Sequence, residues 1–331
     1  MKITIVVPVY NVAPFIGDCI RSVMCQTWKD RLECIFVDDC GTDDSMDIIR
    51  RMIQDYHGPV EFRIENHERN QGLSAARNTG MDAATGDYVY FLDSDDEITS
   101  DCIEVLARPL LREHYDMSIA DYRVVGTGMP QIPLKMSDGE VLKGSEVVHA
   151  YRQKNWYMMA VNKLYRMDFL NQYGLRFKEG IIHEDELWTF QIACLAQSMA
   201  VVRQETYIYK LREGSITVRE FSPRRAESMN IILKEMCAFA EKYGLHRHKD
   251  VHNIIQNFRI DCLDKVKNGA PSLFRKFYRD QRRMMSSSWL DCCQVNGCDI
   301  KKQVRDLHML LPFPIAYPYL CRMLSYYDKQ L

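Results

Sequence analysis

The chain has 331 residues, of which 47% are hydrophobic and 27% are charged, and its formal net charge is −2. This mixture is ordinary for a globular protein, and the nearly neutral charge provides no global field that would attract nucleic acid. We therefore expect no nucleic-acid partner. The length accommodates one large α/β domain with an extension, or two domains.

Two sequence features concern the compartment. No stretch approaches the ~20 uninterrupted apolar residues that cross a bilayer, and the N-terminal run MKITIVVPVYN is too short for a signal peptide. The 12 cysteines are mostly scattered through apolar segments, and only Cys292, Cys293 and Cys298 cluster. We expect buried, reduced thiols and a cytoplasmic protein.

Strand-like and helix-like patterns alternate through the first 125 residues. β-rich runs predict strands at 3–9, 32–39, 60–65, 87–93 and 117–122. Helical spacing of apolar residues predicts helices at 14–26, from Asp43 or Asp44 to Ile53, at 74–84 with a cap at Ser74, and from 101 to about 111 with a cap at Ser100. The alternation predicts an α/β fold with a doubly wound, mostly parallel, Rossmann-like sheet.

The remainder of the chain changes character twice. Gly and Pro interrupt the pattern from 126 to 145, which predicts a loop, a short hairpin or a hinge. Mixed structure resumes from 145 to 216 and includes a predicted helix from Glu184 to Ala196. From Ser222 onward the sequence is helical and poor in strands, which predicts a C-terminal helical extension.

Unusual residues lie at the ends of three predicted strands. They are Pro8 and Tyr10 at the first strand, Asp38 and Asp39 at the second, and Asp93 to Asp96 at the fourth. Because doubly wound sheets bind ligands at the carboxyl ends of their strands, we expect these side chains to border one crevice.

The run Asp93-Ser94-Asp95 places two carboxylates where they can converge on one cation. Oxygen ligands suit Mg²⁺ or Mn²⁺, and a cation with one or two protein carboxylates completes its shell with phosphates and water. The run therefore predicts a divalent cation site beside a phosphate-bearing ligand. A solvated acidic loop that precedes a helix is the alternative.

Two further runs favour a nucleotide ligand. A carboxylate at the end of the second strand can accept a hydrogen bond from a base N–H or a ribose hydroxyl. We assign this nucleoside contact to Asp39, and helix capping to Asp43 or Asp44. The run from Asn70 to Asn78 forms a Gly-containing turn that leads into a helix, with Arg77 one turn in. Arg77 could face a diphosphate because guanidinium matches phosphate geometry, and a surface salt bridge is the alternative.

Four stretches, in order, resemble the family 2 glycosyltransferases with the GT-A fold: ITIVVPVYN, VDDCGTDDS, NQGLSAARNTG and GDYVYFLDSDD. The corresponding family patterns are VSVIxPxYN, VDDGSTDxS, NxGxxxARNxG and GxYIxFLDxDD. One departure is Cys40-Gly41, where the family usually has Gly-Ser. The resemblance implies an inverting glycosyltransferase that moves a sugar from a nucleotide-diphospho-sugar, a UDP-sugar by expectation, to a hydroxyl of a glycan or lipid-linked acceptor in surface polysaccharide synthesis.

The resemblance also implies roles for individual residues. Asp39 reads the base, and Asp95 binds the Mn²⁺ or Mg²⁺ ion with help from Asp93. The nucleotide-sugar site as a whole comprises Pro8, Tyr10, Asp38, Asp39, Asn70, Arg77, Asp93 and Ser94. A general base must take the proton of the acceptor hydroxyl. Asp185 matches the family position of that base and Glu184 is the second choice, although both could instead be first-turn acids of a helix.

The implied organisation is a GT-A domain over 1–220 and a helical extension over 221–331. Within the domain, 1–125 would be the nucleotide-sugar-binding half and 126–220 the acceptor-binding half. Two shorter stretches also resemble the family, namely NKLYR at 162–166 and YIYKLREGSI at 207–216. The second resembles a mobile loop near the diphosphate, with Lys210 where the family has Arg.

The C-terminal extension suggests a membrane contact. Seven basic residues and one acid lie between Lys265 and Arg283, and an apolar, Pro-broken run follows at 307–324. A basic stretch beside an apolar one favours peripheral binding to the inner face of the cell membrane through 265–324. Ordinary packing with a solvated basic face is the alternative.

Two other functions compete with glycosyl transfer. A sugar nucleotidyltransferase would carry a Gly-rich, Arg-containing loop after the first strand, where this chain has PVYNVAPF. A non-catalytic nucleotide-sugar-binding module would not need a base at Asp185.

Overall fold

A central sheet begins with four parallel strands. In the computed structural model, which describes residues 1–126, 131–211, 221–284 and 289–327, these are β1 (Ile3–Val9), β2 (Leu32–Asp38), β3 (Val60–Asn66) and β4 (Tyr88–Phe91), arranged in the order β3-β2-β1-β4. β1 and β2 are almost continuous apolar runs because both of their faces are buried. Their carboxyl ends meet at one edge, where Val9 pairs with Asp38.

The sheet continues beyond β4 with mixed pairing. β8 (Lys163–Arg166) is antiparallel to β4, β6 (Met117–Val125) is antiparallel to β8, and β9 (Ser198–Lys210) is parallel to β6. Two short strands, β5 (Glu97–Ile98) and β7 (Val141–Lys143), are antiparallel to β9. Six of the nine described strands therefore run in one direction, and the predicted α/β class with a mostly parallel sheet is confirmed.

Seven helices accompany the sheet in the described residues of the N-terminal part: α1 (Ala13–Met24), α2 (Ser45–Gln54), α3 (Leu73–Ala83), α4 (Cys102–Ala107), α5 (Ser145–Arg152), α6 (Met167–Tyr173) and α7 (Glu184–Leu195). The predicted helices correspond to α1, α2, α3, α4 and α7. For 126–145 the sequence predicts a loop, a short hairpin or a hinge, and the described residues of that region include the strand β7, which pairs with β9.

Two predicted helix caps are wrong. α3 begins at Leu73 because Gly72 precedes it with a φ of 90°, and Ser74 is buried inside the first turn without capping it. α4 follows Asp101 rather than Ser100, and it ends at Ala107 instead of about 111. At the start of α2, Asp44 occupies the cap position. The side chain that accepts a hydrogen bond from the Ser45 backbone N–H is that of Asp43.

α3 lies unusually close to β1, which fixes the position of its side chains relative to the sheet. A Cβ atom at Gly80 would lie only 2.3 Å from Cγ1 of Val6, so only glycine permits this approach. Arg77 is three residues earlier on the same helix, and the close packing of α3 therefore determines where its guanidinium group can reach.

The chain divides into two units, Met1–Val218 and Arg219–Leu331. The described residues of the second unit form α8 (Pro223–Lys242), α9 (Lys249–Gly269), α10 (Pro271–Gln281), α11 (Trp289–Asn296), α12 (Ile300–Leu310) and α13 (Phe313–Tyr327), which confirms the predicted helical C-terminal part. The hydrophobic core of the second unit includes residues of α10 that pack against α13, namely Phe274, Phe277 and Tyr278. None of the helices in the described ranges is both long enough and apolar enough to cross a bilayer.

A buried polar cluster joins three helices of the second unit. The Asp306 carboxylate lies 2.9 Å from His252 Nε2 and accepts hydrogen bonds from Asn296 Nδ2 at 2.7 Å and Arg305 Nε at 2.6 Å. Cys292 is close to the same group, so these side chains include metal-ligating types. Because the carboxylate is already saturated and Arg305 is cationic, we assign the cluster an internal anchoring role.

Candidate functional site

The site is built around one buried cation, Arg77 of α3. Its side chain is 1% exposed, and its Nη2 lies 2.8 Å from Asp93 Oδ1, at the end of β4. Its Nη1 lies 2.8 Å from Glu184 Oε1 and 3.0 Å from Asp185 Oδ1, at the start of α7. A single guanidinium group thus joins two acidic segments that are about ninety residues apart in the sequence.

This arrangement differs from the predicted diphosphate contact of Arg77. Both terminal nitrogens of the guanidinium group are bonded to carboxylates, and the group is closed to solvent. The reason is the approach of α3 to β1, which directs the side chain inward, toward the ends of β4 and α7. The neighbouring Asn78, which sequence reasoning passed over, exchanges two hydrogen bonds with the backbone of Phe177. Its place beside Arg77 in the ARN run was the available signal.

Aromatic rings enclose the guanidinium group. The Phe177 ring lies 5.1 Å from the Arg77 guanidinium carbon, and it stacks on Trp188 of α7 with a centroid distance of 4.1 Å. Trp188 in turn contacts Phe91 of β4 edge to face. These contacts exclude water from one side of the cation, so its electrostatic interactions with the carboxylates are strengthened.

The surroundings of the cluster shift the pKa values of Arg77, Glu184 and Asp185. Burial lowers the pKa of Arg77, but the nearby carboxylates of Asp93, Asp185 and Glu184 raise it by a larger amount. The net shift is upward, so the guanidinium group remains charged. Burial, followed by the charge of Asp185, raises the pKa of Glu184 to about 7. Burial also raises the pKa of Asp185, while Arg77 opposes that change.

Of the two acids on α7, Asp185 is the more accessible. Its side chain is 21% exposed, whereas that of Glu184 is 9% exposed. The Asp185 carboxylate also accepts a hydrogen bond from the backbone N–H of Ala160. The geometry therefore gives Asp185 a fixed orientation together with an open side.

The acids at the end of β4 divide into open and closed groups. Asp93 is 29% exposed and Asp95 is partly exposed, whereas Ser94 and Asp96 are buried. Asp96 accepts hydrogen bonds from Tyr207 Oη at 2.6 Å and from the Lys210 amide at 2.8 Å. The two partly open carboxylates supply the hard oxygen ligands that Mg²⁺ and Mn²⁺ prefer, so the residues fit the predicted metal.

Asp39, at the end of β2, has a different environment from the one predicted. Its buried carboxylate accepts hydrogen bonds from the amides of Gln71 and Gly72, at 2.7 and 2.8 Å, and contacts His67 Nδ1 at 2.7 Å. The Asp39 carboxylate thus stabilises the turn before α3. His67 Nε2 contacts Thr79 Oγ1 at 2.8 Å, and sequence reasoning had no signal for this histidine.

The more open acid of the pair is Asp38. Its Oδ1 accepts hydrogen bonds from the backbone N–H groups of Cys40 and Gly41, and its side chain is partly exposed. Cys40 adopts a left-handed φ of 59°, the conformation for which the family pattern supplies glycine. The departure at Cys40-Gly41 therefore retains the turn that orients Asp38.

The remaining predicted residues of the donor site are placed as follows. Pro8 is buried within β1, where it pairs with Val37, while Tyr10 is 48% exposed and Asn70 is exposed. The turn at Tyr10 meets the end of β2 through Asn11, whose Oδ1 accepts the Thr42 amide at 2.8 Å. In the stretch YIYKLREGSI, residues 212–216 lie outside the described residues, so the predicted loop stays a prediction.

A comparison of sequences gives a consistent result. The family model described as Glycosyl transferase family 2 matches residues 4–174, more than half of the chain. YibD of Escherichia coli, named an uncharacterised glycosyltransferase, is 29% identical over 222 residues, which are 65% of this chain and 63% of that protein. TarS of Staphylococcus aureus, named a poly(ribitol-phosphate) β-N-acetylglucosaminyltransferase, is 29% identical over 220 residues, 65% of this chain and 36% of TarS. The chain thus spans less than two thirds of the length of either relative.

Solved structures share the fold. The crystal structure of S. aureus TarS 1–349 in complex with UDP-GlcNAc matches with a TM-score of 0.63 and 20% identity, covering 93% of this chain and 91% of that chain. A mannosyltransferase from Pyrobaculum calidifontis, PcManGT, in complex with GDP-Man and Mn²⁺, matches with a TM-score of 0.53 and 14% identity, covering 96% and 84%. At these identities the likeness establishes the GT-A fold alone.

Replacement of the central cation tests the electrostatic arrangement. Arg77→Met keeps much of the aliphatic stem but leaves three carboxylates without a cation, which should lower the free energy of unfolding by about 3–5 kcal/mol at pH 7. The deficit should shrink at pH 5, because protonation of Glu184 and Asp185 relieves their repulsion. Denaturant unfolding at both pH values measures it.

Arg176→Met is the matched control, since Arg176 pairs with Asp82 at the surface. Its effect should stay below about 1 kcal/mol and should not depend on pH in this way. A deficit for Arg77→Met that is equally small, or that grows at pH 5, would contradict the arrangement.

Proposed function

Because the chain belongs to glycosyltransferase family 2, we propose that it is an inverting, metal-dependent enzyme that transfers a sugar from a UDP-sugar to an acceptor hydroxyl. The observation that carries the proposal is the contact of one buried cation, Arg77, with both the acidic end of β4 and the acids that open α7. This contact holds a candidate donor-binding group and a candidate base in one fixed arrangement. The nucleotidyltransferase and non-catalytic alternatives receive no support from the relatives.

The donor would bind at the carboxyl ends of β1, β2 and β4. TarS, a structural neighbour, is described in complex with UDP-GlcNAc, which supports a UDP-sugar. We place the nucleoside near the exposed Tyr10, with Asp38 and Asp39 toward the base or ribose and Asn70 at the rim. The open carboxylate of Asp38 is better placed for direct contact, whereas the buried Asp39 would shape the pocket by fixing the turn at Gly72.

The divalent cation would be held by Asp95, with Asp93 as its neighbour. Bound there, Mn²⁺ or Mg²⁺ would neutralise the charge that develops on the departing nucleoside diphosphate. Arg77 and Asp96 prepare the site, since Arg77 orients Asp93 and the closed Asp96 anchors the segment to β9. PcManGT is described with Mn²⁺, which supports a metal in this fold.

The Asp185 carboxylate would act as the general base and accept the proton of the acceptor hydroxyl as that oxygen attacks the anomeric carbon. Its partial exposure permits contact with an acceptor, and the Arg77 guanidinium favours its charged form. The Glu184 side chain is only 9% exposed, so it is less accessible to an acceptor than that of Asp185. The acceptor would be a glycan or a lipid-linked saccharide in the synthesis of a surface polysaccharide.

We also propose a peripheral membrane contact for the second unit. Three basic residues of α10 are exposed, namely Arg275, Lys276 and Arg279. On α13, Ile315 is 57% exposed. The guanidinium group of Arg279 lies 5.3 Å from the Phe313 ring, so basic and apolar groups occupy adjacent positions. Such a surface suits anionic lipid headgroups, each basic residue contributing about 1 kcal/mol. The buried aromatic residues of α10 serve the core instead.

Removal of the base should separate binding from transfer. Asp185→Asn should lower the rate of UDP release from a UDP-sugar by about 10²–10⁴-fold while the donor Kd stays within a few-fold of the wild-type value. Glu184→Gln is the paired variant and should retain most of the rate. UDP release and calorimetric donor binding check both; an active Asp185→Asn protein beside an inactive Glu184→Gln protein would transfer the role to Glu184.

Removal of the metal ligand should affect donor binding itself. Asp95→Ala should bind UDP as weakly with Mn²⁺ as the wild-type protein binds it in the presence of chelator. Asp55→Ala, at an exposed acid after α2, should preserve the response to Mn²⁺. Two results would contradict the assignment of Asp95 as the metal ligand. Chelator would weaken UDP binding equally in the Asp95→Ala and wild-type proteins, or it would weaken UDP binding in neither protein.

The membrane contact can be measured with vesicles. Replacement of Arg275, Lys276 and Arg279 by Gln should weaken binding to phosphatidylserine-containing vesicles on the order of a hundredfold. The control replaces three exposed basic residues elsewhere in the second unit, Arg224, Lys234 and Lys249, by Gln. Equal cosedimentation of both triple variants with the vesicles, or no binding by the wild-type chain, would rule out this surface.

A further inference from the structure

Lys163 is a buried lysine that the proposed reaction does not use. It opens β8, it is 0% exposed, and it lies within the NKLYR stretch of the sequence. Burial lowers the pKa of its amine well below the usual range, and the charge of Asp185 opposes that change. Burial of an amine costs free energy unless polar partners compensate it, so the amine of Lys163 needs such partners.

Backbone carbonyls and aromatic rings supply that compensation. The Nζ atom donates to the carbonyl oxygen of Met159 and lies 3.5 Å from that of Val161. It also lies 4.0 Å from the centroid of the Tyr157 ring, a cation–π distance. The ammonium group therefore bridges two carbonyls of the turn that precedes its own strand.

The residue between those two carbonyls is Ala160, and its N–H donates to the Asp185 carboxylate. The same turn is bonded to α7 a second time, because the Thr189 hydroxyl donates to the carbonyl of Met158. On its other side the Tyr157 hydroxyl donates to the Ala120 carbonyl in β6, at 2.6 Å. The turn is thus held between the sheet and the helix that carries Asp185.

We propose that Lys163 is a positioning residue for the base: by bridging the carbonyls of Met159 and Val161, it fixes the turn that presents the Ala160 N–H to Asp185. The inference rests on the proposed function of Asp185. Without the bridge, the turn could rotate its amide away, and the carboxylate would lose a donor that defines its orientation. Lys163 contacts neither donor nor acceptor, and it acts only through Asp185.

The groups that face Asp185 decide the expected pH dependence. Arg77 from α3 and Lys163 from β8 favour its charged form, whereas Glu184 on the same helix and Asp93 at the end of β4 disfavour it. The phenols of Tyr151 and Tyr165 stay neutral because burial raises their pKa values. Loss of the ordered Ala160 amide, which favours the charged carboxylate, should therefore raise the pKa of Asp185.

The test replaces Lys163 with methionine, which has similar length and no charge. Lys163→Met should lower kcat for UDP release about tenfold or more while the KM for the donor stays within about twofold. The acidic limb of the profile of kcat/KM against pH should move to higher pH by about half a unit or more. Lys143→Met, at an exposed lysine of β7, should change none of these quantities.

Several outcomes would overturn the proposal. An unchanged acidic limb would reduce Lys163 to a packing residue, even if thermal stability fell. Lys163→Gln, which keeps a donor for one carbonyl, should give an intermediate shift, and loss of cooperative unfolding in both variants would assign Lys163 to the fold as a whole. If Asp185→Asn remained active, the base assignment itself would fail, whereas an inactive Asp185→Asn with an unshifted Lys163→Met would refute only this inference.

Discussion

The burial of one guanidinium group among three carboxylates constrains the rest of the site. Transfer of an isolated ion from water into a protein interior costs several kcal/mol, so Arg77 is stable there only because Asp93, Glu184 and Asp185 surround it. The acids in turn repel one another unless the cation lies between them. With every group ionised the cluster carries two excess negative charges, and burial together with the charge of Asp185 raises the pKa of Glu184 to about 7.

The position of that cation depends on packing, and packing limits what the sequence could predict. The strands β1 and β2, the acids at the strand ends and the helix over 184–195 were predictable from local pattern. The contact from Arg77 to Asp185 was not, because spacing along the chain does not reveal which acid a buried cation meets. It depends on the approach of α3 to β1 at Gly80, which is a property of the assembled sheet.

The same limit explains why neighbouring acids differ in use. Asp38 and Asp39 are adjacent in sequence, as are Asp95 and Asp96, and local pattern treats each pair alike. The fold separates them, since Asp39 is occupied by the amides of the turn before α3 and Asp96 by Tyr207 of β9. The wrong caps have a similar origin: a serine near the start of a helix is a good candidate, but backbone geometry at Gly72 decided where α3 begins.

The proposed reaction requires the metal-bound donor and the Asp185 base to lie on opposite sides of the reacting carbon, with Arg77 joining Asp93 to Asp185. A crystal structure of the protein with Mn²⁺ and an intact UDP-sugar, with the metal located by its anomalous scattering, tests this most directly. We expect Mn²⁺ on Asp95 beneath the diphosphate, and the Asp185 carboxylate across the anomeric carbon from the leaving oxygen. A metal away from Asp95, or Asp185 on the same side of the sugar as the diphosphate, would contradict it.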